Sequence, residues 1–318
     1  MSASPDSTEA LLRRLEWTVI RKLDGLLQGD YRTLFRGFGL DLADLREYQA
    51  HDDVRHIDWN VTARTRVPHV RVYNEDREIT AWFLLDLSPS VDFGSVDIDK
   101  RQVLGEFTAI VARLLTRQGN KVGAVLYDGV NSFVVPPRGG RQQILHVLER
   151  IRLNPRLLHA PKTDLAQFIS GAFGALKRRS LIFVVSDFIS SPGWDRTLGA
   201  LGRRHEVLAV RLVDPAEGEL PDIGMLSMED AETGEILFVD TGDRAFRRRY
   251  TEAAMVYEER LLGMFSSAGV DVLELSTGDD LADAIRRFAD LRRGQRTVNA
   301  GGALATHLHA GSREGLRQ

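Results

Sequence analysis

The chain lacks several things, and each absence removes a class of function. It has no cysteine in 318 residues. Disulfides, thiolate nucleophiles and thiolate metal sites are therefore excluded. No apolar run approaches the roughly 20 residues that a membrane-spanning helix needs. The N-terminus is polar and has no signal-peptide core. The formal net charge is only −3, which gives no general reason to expect nucleic-acid binding. The composition thus reads as a soluble cytoplasmic protein. No G-x-x-x-x-G-K-[ST] loop is present, so ATP hydrolysis by a P-loop route is not expected. The G-x-S-x-G elbow of a serine hydrolase is missing as well. What the chain has is 43% hydrophobic residues, enough for a sizeable core.

The most informative stretch is Ile79 to Gly94. Ala81, Trp82, Phe83, Leu84 and Leu85 form an apolar run too short for an ordinary helix, which predicts a buried strand. Asp86, Ser88 and Ser90 follow at alternate positions where that strand ends. One carboxylate and two hydroxyls are oxygen-only ligands, suited to a hard cation such as Mg²⁺.

The spacing D-x-S-x-S resembles the first half of the metal-ion-dependent adhesion site of von Willebrand factor A domains. That resemblance implies two further ligands, a threonine from a second loop and an aspartate after a later strand. Thr163, just before a helix, and Asp187, after the apolar run Leu181 to Ser186, stand in the implied order. The implied site is Asp86, Ser88, Ser90, Thr163 and Asp187, holding Mg²⁺ or another divalent cation such as Mn²⁺ or Ca²⁺. With few anionic ligands the ion stays net positive and has an open position. In A domains a partner's Asp or Glu fills that position, and the resemblance implies the same here. The site is expected at the surface. The alternative reading leaves Asp86 and Asp187 as helix caps without metal.

Before this stretch, Thr8 precedes a helical pattern in which Leu11, Leu12, Leu15 and Val19 recur at spacings of three and four. This predicts a surface helix packed on a core. A basic amphipathic membrane or partner helix is the alternative. Residues 30–39 read as loop or short strand. A dense charged block follows: Leu45-Arg46-Glu47-Tyr48, then His51 to Trp59, then Ala63-Arg64, with Glu75 further on. His51, Asp52, Asp53, His56 and Asp58 invite a metal-cluster reading. The interleaved arginines favour an ion-pair network instead. Trp59 is expected to be buried. Val70 to Tyr73 alternates as a half-exposed strand, expected to turn near Asn74 and pair with the apolar strand.

This block resembles family 58 of the domains of unknown function, bacterial and archaeal proteins encoded beside MoxR-type AAA+ ATPases. His51 replaces the first glycine of the family's Gly-Asp-Asp. The resemblance implies an A-type domain downstream. It also implies a MoxR-type AAA+ ATPase, or a client offering an Asp or Glu, as partner.

Downstream, strands and helices alternate: a helix near 99–119, strands at 121–127 and 132–135, the second stopped by Pro136-Pro137, helices at 139–153 and 165–176, and strands at 181–186, 206–213 and 270–275. Two short strands lie in an insertion near 216–244, and long helices at 244–268 and 281–293. The fold class is α/β, a doubly wound, mainly parallel sheet with helices on both faces and strand order 3-2-1-4-5-6. Three regions are expected: 1–78, an N-terminal helix and charged segment; 79–293, the A-like domain; and 294–318, a disordered tail. The functional reading is a metal-dependent protein-binding module without a catalytic constellation. The alternative is a magnesium-dependent hydrolase or phosphatase using Asp86, although Ser88 stands where such a phosphatase carries its second aspartate.

Overall fold

A computed structural model describes residues 7–20, 44–49, 54, 57, 59–72, 79–95, 97–157, 161–229, 235–288 and 307–308. The chain divides into two compact units, residues 1–29 with 80–318, and residues 30–79.

In the smaller unit, strand β1 (Asp44–Glu47) pairs antiparallel with β2 (His69–Val72). A short helix, α2 (Trp59–Thr65), lies between them in sequence. The Thr62 hydroxyl accepts the His69 N–H at 3.1 Å and ties the helix to β2. Two expectations are corrected here. The partner of β2 is β1, which can pair with it locally, rather than the apolar strand. Trp59 is 69% exposed at the helix start, so it is not a core residue. His51, Asp52, Asp53, His56 and Asp58, residues 30–39 and the turn near Asn74 lie outside the described residues.

The larger unit begins with α1 (Thr8–Leu15), capped by the Ser7 hydroxyl, and a single π turn over Glu16–Ile20. Leu12, Leu15 and Ile20 are buried. Glu9 and Glu16 pair with Arg141, and Arg14 pairs with Glu106. The docked reading of this helix therefore holds.

The core is a seven-stranded sheet. Its strands in chain order are β3 (Thr80–Asp86), β4 (Lys121–Tyr127), β5 (Ser132–Arg138), β6 (Leu181–Ser186), β7 (Glu206–Val213), β10 (Asp271–Ser276) and β11 (His307–Leu308). In space they run β11-β10-β7-β6-β3-β4-β5. Numbering β3, β4, β5, β6, β7 and β10 from one to six gives the order 3-2-1-4-5-6. All pairings are parallel except β4 with β5. The apolar strands are buried on both faces, as parallel sheets require. On one face Trp82, Leu84, Ile182 and Val184 pack under α5 (Leu165–Ala172), α6 (Trp194–Arg204) and α8 (Arg244–Ala268). On the other, Phe83 stacks on Phe183 at 4.9 Å, and Phe183 meets Phe107 of α3 (Lys100–Arg117) edge-on. Each such ring contributes about 1.5–3 kcal/mol by burial. Helix α4 (Arg141–Leu153) packs beside α3.

Strand β5 continues through Pro136 and Pro137 to Arg138, so the prolines do not stop it as expected. It is the sheet's outer strand, and its register with β4 shifts beside the prolines, between Val122 and Ala124, the edge-and-bulge setting in which sheets admit proline. The insertion carries a one-turn helix, α7 (Pro215–Gly218), and a hairpin of β8 (Met225–Glu229) and β9 (Ile236–Asp240). The backbone over 281–288 is helical. In the tail, His307 and Leu308 pair with Val272 and Leu273.

Candidate metal site at the sheet switch point

Strands β3 and β6 are neighbours in register, Leu85 opposite Val185. Asp86 and Ser186 therefore end their strands side by side. To one side of this boundary the chain winds through β4, to the other through β7. Open α/β sheets bind ligands at such a switch point. The two sequence-distant carboxylates, Asp86 and Asp187, meet there.

The first segment is fixed by short-range chemistry. Asp86 Oδ1 accepts the Ser88 N–H at 3.0 Å, and the Ser88 and Ser90 hydroxyls lie 3.3 Å apart. Leu87 N–H donates to the Tyr127 carbonyl at 2.7 Å. Arg101 holds the same loop from α3, donating to the Leu87 carbonyl at 2.9 Å and to Asp92 at 3.0 Å. The second segment is stitched to the third. Asp164 caps α5, and the Thr163 carbonyl just before it accepts the Ser190 hydroxyl and the Ser191 N–H, each at 3.0 Å. The third segment reaches back to the first, because Ser186 Oγ donates to Asp86 Oδ2 at 2.7 Å. All five predicted residues thus lie in three segments, the end of β3 with the loop after it and two further loops, joined by hydrogen bonds at one end of the sheet.

The site is buried, which corrects the expectation of a surface position. Asp86, Ser88 and Thr163 are 0% exposed, Asp187 2% and Ser90 7%. The flanking loops fold over the strand ends. Burial first, and then the charge of Asp187, push the Asp86 carboxyl up to about 6, against the bonds from Ser186 and Ser88. Neither aspartate caps an α-helix. Asp99, Asp164, Asp214 and Asp243 do that work.

The sequence reading missed two charged partners. Lys100, the first residue of α3, is 1% exposed. Its Nζ donates to Asp187 Oδ2 at 2.7 Å and to Glu217 Oε1 at 2.6 Å. Burial opposes the charge of Lys100, yet the two carboxylates outweigh it and push the ammonium up to about 12. Glu217 belongs to a capping box on α7 with Asp214. Asp214 in turn accepts the Ser95 N–H at 2.8 Å and the Thr277 hydroxyl at 2.7 Å, linking the ends of β7 and β10 to the loop after β3. Nothing in the spacing of Lys100 and Glu217 announces their contact, since 117 residues separate them. Phe188 was also missed. Its φ of 60° is left-handed, a conformation costing about 1–2 kcal/mol for a residue with a side chain. It is held by its N–H to Ser186 Oγ at 2.9 Å and by packing on Trp194 and Phe265.

Among the described residues, no group of three or more His, Cys, Asp or Glu is placed to hold a metal ion. The donor set at the switch point is of another kind, two carboxylates and three hydroxyls. Two octahedral ligands at Mg²⁺ bond lengths of roughly 2.1 Å are about 3 Å apart. The Ser88–Ser90 separation of 3.3 Å is close to that edge. Every oxygen of Asp86 and Asp187 already accepts a protein donor. Each retains a further lone pair, which suits contact with a hydrated ion through water. The residues fit a hard divalent cation.

Known proteins share this chain's sequence and fold to different degrees. An uncharacterised protein of Mycobacterium tuberculosis is 39% identical over 286 residues, 90% of each chain. Two solved structures align with it at low identity. An aerotolerance-related membrane protein from Bacteroides fragilis is 13% identical with a TM-score of 0.43, covering 67% of this chain and 99% of its own. The SpRpn10 VWA domain is 13% identical with a TM-score of 0.38, covering 66% and 95%. The cytoplasmic expectation is withdrawn; the first of these structures is described as that of a membrane protein. Charge and apolar-run length report on a domain's own residues, not on where it is tethered. Among the described residues no helix is long and apolar enough to cross a membrane. The family profile for "protein of unknown function DUF58" matches residues 44–260, and on that match the chain belongs to the DUF58 family.

Proposed function

We propose that the chain is a metal-dependent protein-binding module whose ion is held by Asp86, Ser88, Ser90, Thr163 and Asp187. The observation that carries this reading is the convergence of these oxygen-bearing residues from three segments at the switch point of the sheet. Ser88, Ser90 and Thr163 supply the hydroxyls. Asp86 and Asp187, each held by donors of the protein, orient water around the ion. When bound, Mg²⁺ or a similar cation supplies an electrophilic position able to take a carboxylate from outside. The partner class is a protein offering an Asp or Glu, and the resemblance of the charged block around Arg46 to MoxR-associated proteins supports a MoxR-type AAA+ ATPase or its client.

The hydrolase reading is weaker. Asp86 has both oxygens engaged by Ser88 and Ser186, so it is poorly presented as a nucleophile. A pull-down with the full chain separates the readings. Capture of a partner in Mg²⁺, its loss in EDTA and its loss in Ser88→Ala/Ser90→Ala support the module. Capture that ignores both changes places the contact elsewhere. Phosphatase turnover lost in Asp86→Asn would favour the hydrolase.

A further inference from the structure

Lys100 is a cation already inside a site that suits a cation. Its aliphatic stem rises from the start of α3, and its ammonium bridges Asp187 and Glu217 at 2.7 and 2.6 Å. Both lysine and aspartate side chains are 1% exposed. Asp86, Asp187 and Glu217 carry three negative charges when ionised against the one positive charge of Lys100. These four groups are left net negative, although Arg211 also acts on Glu217. Desolvated charges of this kind are stable only when compensated. The ammonium occupies Oδ2 of Asp187, while Oδ1 accepts the Ile189 N–H at 3.0 Å. It therefore neutralises the Asp187 end and leaves the hydroxyl end, at Ser88 and Ser90, for a second cation.

We propose that Lys100 is the affinity-determining residue of the metal site, a resident cation that holds Asp187 when no metal is bound and repels the ion that binds beside it. The inference rests on the metal reading given above and deepens it. Glu217 belongs to the same device. It draws the ammonium away from sole dependence on Asp187 and adds negative charge to the site. The loops thereby stay assembled without metal, and occupancy depends on the ambient level of the ion.

The two residues act on metal affinity in opposite directions, which a purely structural role does not predict. Removing the ammonium in Lys100→Met takes away a repelling charge and frees an Asp187 oxygen, so binding tightens. Removing the carboxylate in Glu217→Gln takes away an attracting charge and commits Lys100 to Asp187, so binding weakens. The experiment is calorimetric titration of the full chain with MgCl2 and with MnCl2, paired with melting curves in EDTA. Lys100→Met is expected to bind on the order of tenfold more tightly than wild type. Its melting temperature in EDTA is expected to fall and to recover with Mg²⁺ by more than that of wild type. Glu217→Gln is expected to bind several-fold more weakly. If wild type binds metal and Lys100→Met binds equally or less tightly, the role given to Lys100 is wrong and the metal site stands. If neither wild type nor Lys100→Met binds Mg²⁺ or Mn²⁺, the metal reading falls and this inference with it. Should Lys100→Met fail to fold, Glu217→Gln decides: weaker binding supports the inference, and unchanged binding overturns it.

Discussion

The ends of β3 and β6 have the same local pattern and opposite electrostatics. Each is an apolar strand closing on an aspartate, and each aspartate is buried. Asp86 is met by neutral donors, a backbone N–H and the Ser186 hydroxyl, and its carboxyl is pushed up to about 6. Asp187 is met by an ammonium at 2.7 Å. One strand end is an anion short of compensation, and the other is a closed ion pair. The difference arises because α3 starts beside β6 and delivers Lys100 there. It teaches that a motif aspartate's role depends on which charge the tertiary structure sends to it.

The comparison is broken most severely at Lys100. Removing one partner of a buried ion pair costs about 3–5 kcal/mol, because the other charge is left uncompensated. Lys100→Met should lose stability of that order in urea unfolding with EDTA present. A loss under about 1 kcal/mol would show that water reaches Asp187 and that the two strand ends are alike.

The next effect sharpens the contrast from the other end. A ligand at 100 times its dissociation constant stabilises by roughly 2.7 kcal/mol. Mg²⁺ at that level should raise the melting temperature of wild type and leave Ser88→Ala/Ser90→Ala unmoved. Equal shifts in both would remove the hydroxyl end from the site. Asp86→Asn should be milder in EDTA. The amide keeps an acceptor for the Ser88 N–H and relieves repulsion from Asp187, so its change should stay within about 1 kcal/mol. It should nevertheless lose the Mg²⁺ response. A loss in EDTA as large as that of Lys100→Met would mean that Asp86 is also an ion-pair partner. The smallest effect belongs outside both ends. Phe238 on the hairpin is 72% exposed, and Phe238→Ser should change stability by no more than about 0.5 kcal/mol and leave metal binding alone.

Much of the fold is legible in the residue pattern. The runs ending at Asp86 and Ser186 are too apolar and too short for anything but buried parallel strands. Alternation of strands with amphipathic helices predicts a doubly wound sheet, and its observed order makes β3 and β6 adjacent. Asp99 with Gln102 and Gly119 with its φ of 83° mark the ends of α3 as their residue types require. Where the pattern misleads, position in the fold outweighs local propensity. Pro136 and Pro137 look like a stop, but they lie on an outer strand where its register with β4 shifts, which accommodates the N–H groups they lack. Trp59 looks like core, but it opens a short helix in a small unit and stays exposed.

The sequence alone determined most strands and helices of the larger unit, their alternation and the oxygen-rich chemistry of Asp86, Ser88 and Ser90. These follow from periodicity and residue type, which act over a few residues. Only the tertiary structure decided that Lys100 and Glu217 enter the same site, that the site is buried, and that Phe188 takes a left-handed turn beside Asp187. The contacts behind these facts join residues far apart in the chain. A buried charge is set by whichever group folding brings within about 3 Å of it, and no local pattern records that distance.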